Sequence, residues 1–191
     1  MTVEEIFANL SSHMAKGLII HDQLSNAYNF LNLCGYKKCH EYHYYEENYN
    51  YHCLRDFYID TYHKMILEEK DTQPIEIFPM SWYKYKKEDV DTNTKRTAIR
   101  DLTKYWVNWE EETVSLLEKL YKELYELGEI YAASKIRQFL EGTAEELAHA
   151  RNKLIDLETS SYDISDIIIE QEPLYEKYCE KIKEIFEIDD D

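Results

Sequence analysis

The chain has 191 residues, of which 39 are acidic and 22 are Lys or Arg, so its formal charge is −17. This charge argues against a nucleic-acid partner, because contacts to phosphates need clustered Lys and Arg. Only 4 glycines and 3 prolines are present, which leaves few turns and favours an all-α domain of long helices.

The sequence also argues against membrane insertion and secretion. No apolar run reaches the roughly 18 residues that span a bilayer. The N-terminus begins an amphipathic pattern at once and does not read as a secretory signal. The four cysteines form no C-x-x-C pair, which favours reduced thiols. We therefore expect a cytoplasmic protein with no membrane partner.

Apolar spacing of three and four residues predicts a first helix over about residues 3–33, ended by Gly35 as a left-handed cap. A second helix is predicted over about 37–69, with an unusually polar inner stripe that includes Tyr42, Tyr45, Tyr49 and His52. Residues 71–91 contain Pro74 and Pro79 and predict a long connection.

A third helix is predicted over about 94–127, capped by Gly128, and a fourth over about 129–158, with Gly142 as a point of bending or close packing. One or two shorter helices follow over 163–188. We therefore predict a four-helix bundle over residues 1–160, with a long crossover between helices two and three. Residues 161–191 form a C-terminal helical extension that packs on the bundle.

A Glu-x-x-His pair, Glu146 and His149, lies in the fourth helix, where residues three apart share a face. Glu112 lies 16 residues before Gly128 and Glu146 lies 18 after it, so the two are expected to face each other. The same reasoning about Gly35 places two histidines at mid-height in the first hairpin. The predicted polar layer consists of His21, His52, Glu112, Glu146 and His149.

Histidine and carboxylate ligands together suit Fe, Mn or Zn better than Ca or Mg. A second polar cluster in the first hairpin is an alternative, although it lies near the helix end, where exposure is expected; it comprises His13, Asp56, Asp60 and His63. Each of these sets also fits a simpler interpretation, in which the side chains are half-buried and satisfied by neighbouring tyrosines or by Lys and Arg.

Over residues 3–158 the pattern resembles the ferritin-like superfamily, the non-haem di-iron carboxylate four-helix bundles. The likeness rests on the late crossover, on Glu146-x-x-His149, on the run Ser115-Leu-Leu-Glu-Lys-Leu-Tyr and on the tract that begins at Phe139. The resemblance implies a Glu on helix one and a Glu-x-x-His on helix two. Here helix one offers His21 or Asp22, and helix two offers Tyr49-Asn-Tyr-His52, so it implies a divergent member with an incomplete ligand set.

Two functions follow as hypotheses. In the first, the protein is a non-haem metal-binding bundle that holds Fe or Mn, with altered or lost redox chemistry. In the second, it is a metal-free helical interaction or scaffold protein whose partner surface is the C-terminal helix and residues 71–91, including an aromatic and basic run from Trp82 to Lys87. A homo-oligomer is compatible with both, and neither decides whether the protein is an enzyme.

Overall fold

Helices make up all of the regular secondary structure in the computed structural model, which describes residues 1–66 and 90–187. The helices are α1 (Val3–Phe30), α2 (Cys34–Tyr62), α3 (Thr92–Glu126), α4 (Ile130–Thr159), α5 (Ile164–Ile169) and α6 (Gln171–Glu187). For these residues the prediction of an all-α fold is confirmed. Most of the predicted 71–91 connection, with its Trp82–Lys87 run, lies outside the described residues.

The turn between α1 and α2 lies at Asn32, which adopts the left-handed conformation with φ 58°. The prediction that Gly35 ends the first helix is therefore wrong, since Gly35 lies in the first turn of α2. A glycine is needed at position 35 for a different reason. A Cβ on Gly35 would lie 2.5 Å from the carbonyl oxygen of Gln171, so the glycine permits the close approach of α6.

The turn between α3 and α4 follows the prediction. Gly128 has φ 79°, and the amides of Gly128 and Glu129 donate to carbonyls in the last turn of α3. The predicted close packing at Gly142 is not found, because a Cβ there would meet no atom within 4 Å.

Two apolar clusters fill the two ends of the bundle. We call them the upper core, which includes Ile20, Leu24, Tyr28, Tyr36, Ile99, Trp106 and Leu157, and the lower core, which includes Ile6, Phe7, Leu10, Leu54, Tyr58, Leu120 and Ile136. Both α2 and α3 begin in the upper core and end in the lower core, so they run in the same direction. Ile66 packs in the lower core and Val90 against the upper core, so the described residues that flank 67–89 lie at opposite ends of the bundle.

The last helix, α6, packs along α2 and supplies its N-terminal cap. Leu33, the residue that precedes α2, has no side-chain group that could cap the helix. Instead, Oε1 of Gln171 accepts from the amides of Gly35 and Tyr36, at 3.0 and 3.3 Å. Nearby, Glu170, the residue between α5 and α6, accepts hydrogen bonds from Tyr36 of α2 and Lys153 of α4. Among the described helices, none combines the length and apolarity needed to cross a bilayer.

Candidate metal centre

A layer of histidines and glutamates separates the upper core from the lower core, and all four long helices contribute to it. Most of its members are buried, whereas Glu46, Glu146 and His149 are half-buried. Helix α2 contributes most, since residues three and four apart bring their side chains to one face. The layer contains His21 of α1, His40, His43, Glu46 and Glu47 of α2, Glu110 of α3, and Glu146 and His149 of α4. Such a polar layer in a bundle core is costly unless its groups are paired with each other or with a cation.

Three of these residues converge on one point. Nδ1 of His43 lies 3.7 Å from Oε2 of Glu46 and 3.5 Å from Oε1 of Glu146. One ligand atom from each of the three lies within 4.8 Å of the other two. Both ring nitrogens of His43 are buried and lack a hydrogen-bond partner in the described part of the chain.

These separations match those of ligands around one metal ion. Bonds of about 2.0–2.2 Å to histidine nitrogen and carboxylate oxygen place two tetrahedral ligand atoms roughly 3.4 Å apart. The observed 3.5 and 3.7 Å are close to that value and are too long for good hydrogen bonds. The same distances fit an ion pair between a protonated His43 and the two carboxylates, so the triad has the geometry to hold either a proton or a metal ion.

His21 lies beside this triad and links it to α3. Its Nδ1 lies 3.2 Å from Nδ1 of His40, and its Nε2 lies 3.6 Å from Oε1 of Glu110. Trp106 donates from Nε1 to the same Glu110 oxygen at 3.0 Å. The second oxygen, Oε2 of Glu110, is buried with no hydrogen-bond partner among the residues described. Glu110 thus keeps one oxygen free within the layer.

Glu47 enters the layer because Gly17 of α1 leaves room for it. A Cβ on Gly17 would lie 3.3 Å from Oε1 of Glu47 and 3.2 Å from Cζ2 of Trp109. Glu47 is 8% exposed. The glycine thus allows both a carboxylate and an indole ring to pack directly on the α1 backbone.

The charges of the layer are not balanced by basic side chains. Across residues 1–66 and 90–187, no Lys or Arg forms an ion pair with Glu46, Glu47, Glu110 or Glu146. Burial raises the pKa of Glu110 to about 7 and that of Glu146 to about 7. Burial and the neighbouring carboxylates also raise the pKa of Glu47 well above its usual range.

Histidine protonation in the layer is uneven. Burial lowers the pKa of His21 to about 3 and that of His149 to about 4. Burial also disfavours charge on His43, but the carboxylate of Glu146 outweighs it and raises the pKa of His43 well above its usual range. Without a metal, a proton on His43 therefore takes the place that a cation would take between two carboxylates.

Of the five predicted ligands, the structure brings three into the layer. His21 and Glu146 are in it, and His149 lies one turn along α4 from Glu146, with Nε2 3.4 Å from the hydroxyl of Tyr178. His52 and Glu112 are exposed and lie outside it. The acidic residue of α3 that faces the bundle interior is Glu110, two residues before Glu112. Side chains two residues apart on a helix point to different faces, so Glu112 faces solvent.

The alternative cluster does not assemble. Asp56, Asp60 and His63 are exposed. His13 stacks on Trp109 with ring centroids 4.3 Å apart, and its Nε2 lies 2.8 Å from Oγ1 of Thr113. His13 is therefore held by neighbouring side chains of α3 and not by the three acidic or histidine residues predicted to accompany it.

Sequence reasoning missed His40, His43, Glu46, Glu47 and Glu110. A signal for three of them was present, since His40-x-x-His43-x-x-Glu46 repeats at a spacing of three and places the three side chains on one helical face. This pattern is more specific than the single Glu146-x-x-His149 pair, and it lies on the helix that packs across from that pair in the layer.

Comparisons of the chain with protein-family models, with curated proteins and with solved structures find no match.

Proposed function

We propose that the protein binds a non-haem iron or manganese ion through His43, Glu46 and Glu146. The observation that carries this proposal is the position of His43 Nδ1, which is buried, has no hydrogen-bond partner among described groups and lies 3.5 and 3.7 Å from two carboxylate oxygens. A buried nitrogen in this situation costs free energy, and a cation that it coordinates together with both carboxylates removes that cost.

The donor set favours a transition metal of intermediate softness. Imidazole nitrogen suits Fe and Zn, and carboxylate oxygen suits Mn and Mg, so the mixed set is best served by Fe or Mn. Glu47 and Glu110 are further carboxyl groups of the same layer, and Glu110 is close enough to raise the pKa values of both Glu47 and Glu146. Glu110 also keeps one free oxygen.

A divergent ferritin-like bundle is the fold that we propose for this site. Two features support it: α2 and α3 run in the same direction, and residue pairs three apart on α2 and α4 meet residues from α1 and α3. The order on α2 is His43-x-x-Glu46, the reverse of the family's pair, and α1 offers His21 where the family has Glu. The ligand set is thus altered, and the proposal is limited to metal binding.

The rival function is that of a metal-free interaction protein. It is favoured by apolar side chains left exposed in the C-terminal region, where Ile168, Ile169 and Phe186 are 56%, 74% and 54% exposed. Such residues are common at protein contacts, although scattered ones need no partner. The two functions differ in their prediction for metal content.

The test is elemental analysis of protein purified without chelator and then incubated with Fe(II) or Mn(II). The wild type is expected to retain an equimolar amount of metal after desalting, and His43→Ala and Glu146→Gln to lose it. His52→Ala and Glu112→Gln are matched controls, since they make the same kinds of change at exposed positions. Retention of metal by His43→Ala, or its absence from the wild type, would overturn the proposal.

A further inference from the structure

A cavity of about 150 Å³ inside the bundle borders the proposed metal site. Two of the three proposed ligands, Glu46 and Glu146, line it, and so do Gln138 and Gly142, which are exposed on α4. The cavity therefore reaches from the surface of the bundle to the proposed site.

Oxygen-bearing side chains line much of this cavity. Besides the two proposed ligands they include the carboxyl group of Glu47, the amide of Asn50 and the hydroxyl of Thr143. No Lys, Arg or His is among the described residues of the lining. Oxygen atoms of these kinds can replace water molecules around a divalent cation, whereas an anion would find no basic group to bind.

Glu47 is the most deeply buried of these polar groups. Its side chain is 8% exposed, it lines the cavity, and it forms no hydrogen bond or ion pair with any residue that the structure describes. A buried carboxyl group without a partner costs free energy, and a hydrated cation in the cavity would offer it one.

The cavity itself lacks the ligands that would retain a cation. Within residues 1–66 and 90–187, His43, Glu46 and Glu146 are the only group of three His, Cys, Asp or Glu side chains whose ligand atoms lie within 4.8 Å of one another. Part of the cavity lining is apolar, with Leu10 and Met14 among its members. A cation in the cavity would be only partly coordinated there and would move on to the triad.

Gly142 keeps the outer part of the cavity open. A glycine within a helix is less favourable than an alanine, and here no close packing requires it, because a Cβ would meet no atom within 4 Å. Its position where the cavity meets the exposed face of α4 gives the missing side chain a role.

We propose that this cavity is the route by which a divalent cation enters the metal site, with Glu47 as a transient ligand on the way. The inference rests on the proposed metal-binding function. The volume of about 150 Å³ is several times the roughly 30 Å³ that a water molecule occupies in the liquid, so the cation can keep part of its hydration shell.

The test is the rate of Co(II) uptake by metal-free protein, followed by stopped-flow absorption, because Co(II) accepts histidine and carboxylate ligands. Gly142→Trp and Gln138→Trp place a large side chain at the opening and should slow uptake about tenfold. A blocked route slows release to a chelator by the same factor, so the final cobalt content should not change. Ala144→Trp is the control, since Ala144 is exposed on the same helix and does not line the cavity.

A second pair of variants tests the part played by Glu47. Glu47→Leu keeps a similar side-chain volume without the oxygen atoms and should slow uptake about threefold or more. Glu112→Leu makes the same change at an exposed position and should take up cobalt at the wild-type rate. Wild-type uptake by Glu47→Leu would overturn the role of Glu47 as a transient ligand.

The outcomes separate the route from the metal site. Uptake by both tryptophan variants at the wild-type rate would overturn the route and leave the metal site standing. Slower uptake combined with faster release would also overturn it, since that result indicates a weakened site rather than a blocked path. Failure of the wild type to bind cobalt would count against the metal site and, with it, the route.

Discussion

The imidazole of His43 on α2 and the carboxylate of Glu146 on α4 approach to 3.5 Å between Nδ1 and Oε1. They meet in a layer where, among the described residues, no Lys or Arg pairs with the acidic groups. A charged pair in a bundle core stabilises the fold only if its remaining charges and hydrogen-bonding atoms are satisfied. The proposed metal ion would satisfy them, and the following predictions test the consequences.

Metal binding should release protons. In the metal-free protein the pKa of His43 is raised well above its usual range, so its imidazole holds a proton at neutral pH, and the pKa of Glu146 is raised to about 7, so its carboxyl group is still losing its proton between pH 6 and pH 8. A metal ligand must give up its proton, so the affinity for Mn(II) should increase from pH 6 to pH 8. Calorimetric titration in buffers of different ionisation enthalpy measures the release; a binding enthalpy independent of the buffer would contradict this prediction.

Glu110→Gln should stabilise the metal-free protein at alkaline pH. Burial raises the folded-state pKa of Glu110 from 4.5 to about 7. The protonated, folded form is favoured below pH 4.5, and that stability is lost as the pH rises through 7. Glutamine carries no charge, so at pH 8 the variant should exceed the wild type by roughly 1–3 kcal/mol in the free energy of unfolding. At pH 5 the difference should be small.

Urea unfolding at the two pH values measures this effect. Glu112→Gln is the matched control, because Glu112 is exposed and its replacement should leave the pH dependence as in the wild type. An equal gain for Glu110→Gln at pH 5 and pH 8 would show that ionisation of Glu110 is not the cause.

The same change, Gly to Ala, should act in opposite directions at two helical positions. At Gly142 the added Cβ meets nothing within 4 Å, so Ala should stabilise the protein by about 0.5–1 kcal/mol through helix propensity. At Gly17 the Cβ would lie 3.2 Å from Trp109 and 3.3 Å from Glu47, both buried. Gly17→Ala should therefore lower both stability and metal affinity. Thermal unfolding of the two variants compares them directly, and stabilisation by Gly17→Ala would contradict the packing argument.

Gln171→Ala should weaken the start of α2 although the residue belongs to α6. Its Oε1 accepts from the amides of Gly35 and Tyr36, and removal of the side chain leaves both buried donors unsatisfied. The expected cost is about 1–2 kcal/mol, as for the loss of an N-terminal cap. Hydrogen exchange should accelerate at those two amides. Glu176→Ala, an exposed change on α6, should leave the exchange rates unaltered.

The depth of the site could be predicted from the sequence once the turns were located correctly. Glu110 and Glu146 each lie 18 residues from Gly128, the left-handed turn residue of the second hairpin. His21 and His43 each lie 11 residues from Asn32, the left-handed residue of the first. Placing the first turn at Gly35 moved the expected partner of His21 along α2 to His52. Asn adopts the left-handed conformation less often than Gly, so the sequence favoured the wrong residue.

The inner face of α2 could not be identified from apolar spacing. Tyrosines occur on several sides of this helix. The stripe drawn through Tyr42, Tyr45 and Tyr49 follows the side that faces α6, where Tyr42 contacts Tyr178 and Tyr45 contacts Phe186. The buried face instead carries His40, His43 and Glu47. Periodicity identifies a core face by its apolar residues, so it fails where a polar site occupies that face.

The central claim is tested most directly by a crystal structure of the Mn(II)-loaded protein with anomalous diffraction data. The account predicts one anomalous peak in the interior of the bundle, about 2.0–2.2 Å from Nδ1 of His43 and from a carboxylate oxygen of each of Glu46 and Glu146. Manganese bound only at exposed carboxylates such as Glu112, with the interior layer metal-free and His43 unliganded, would contradict it.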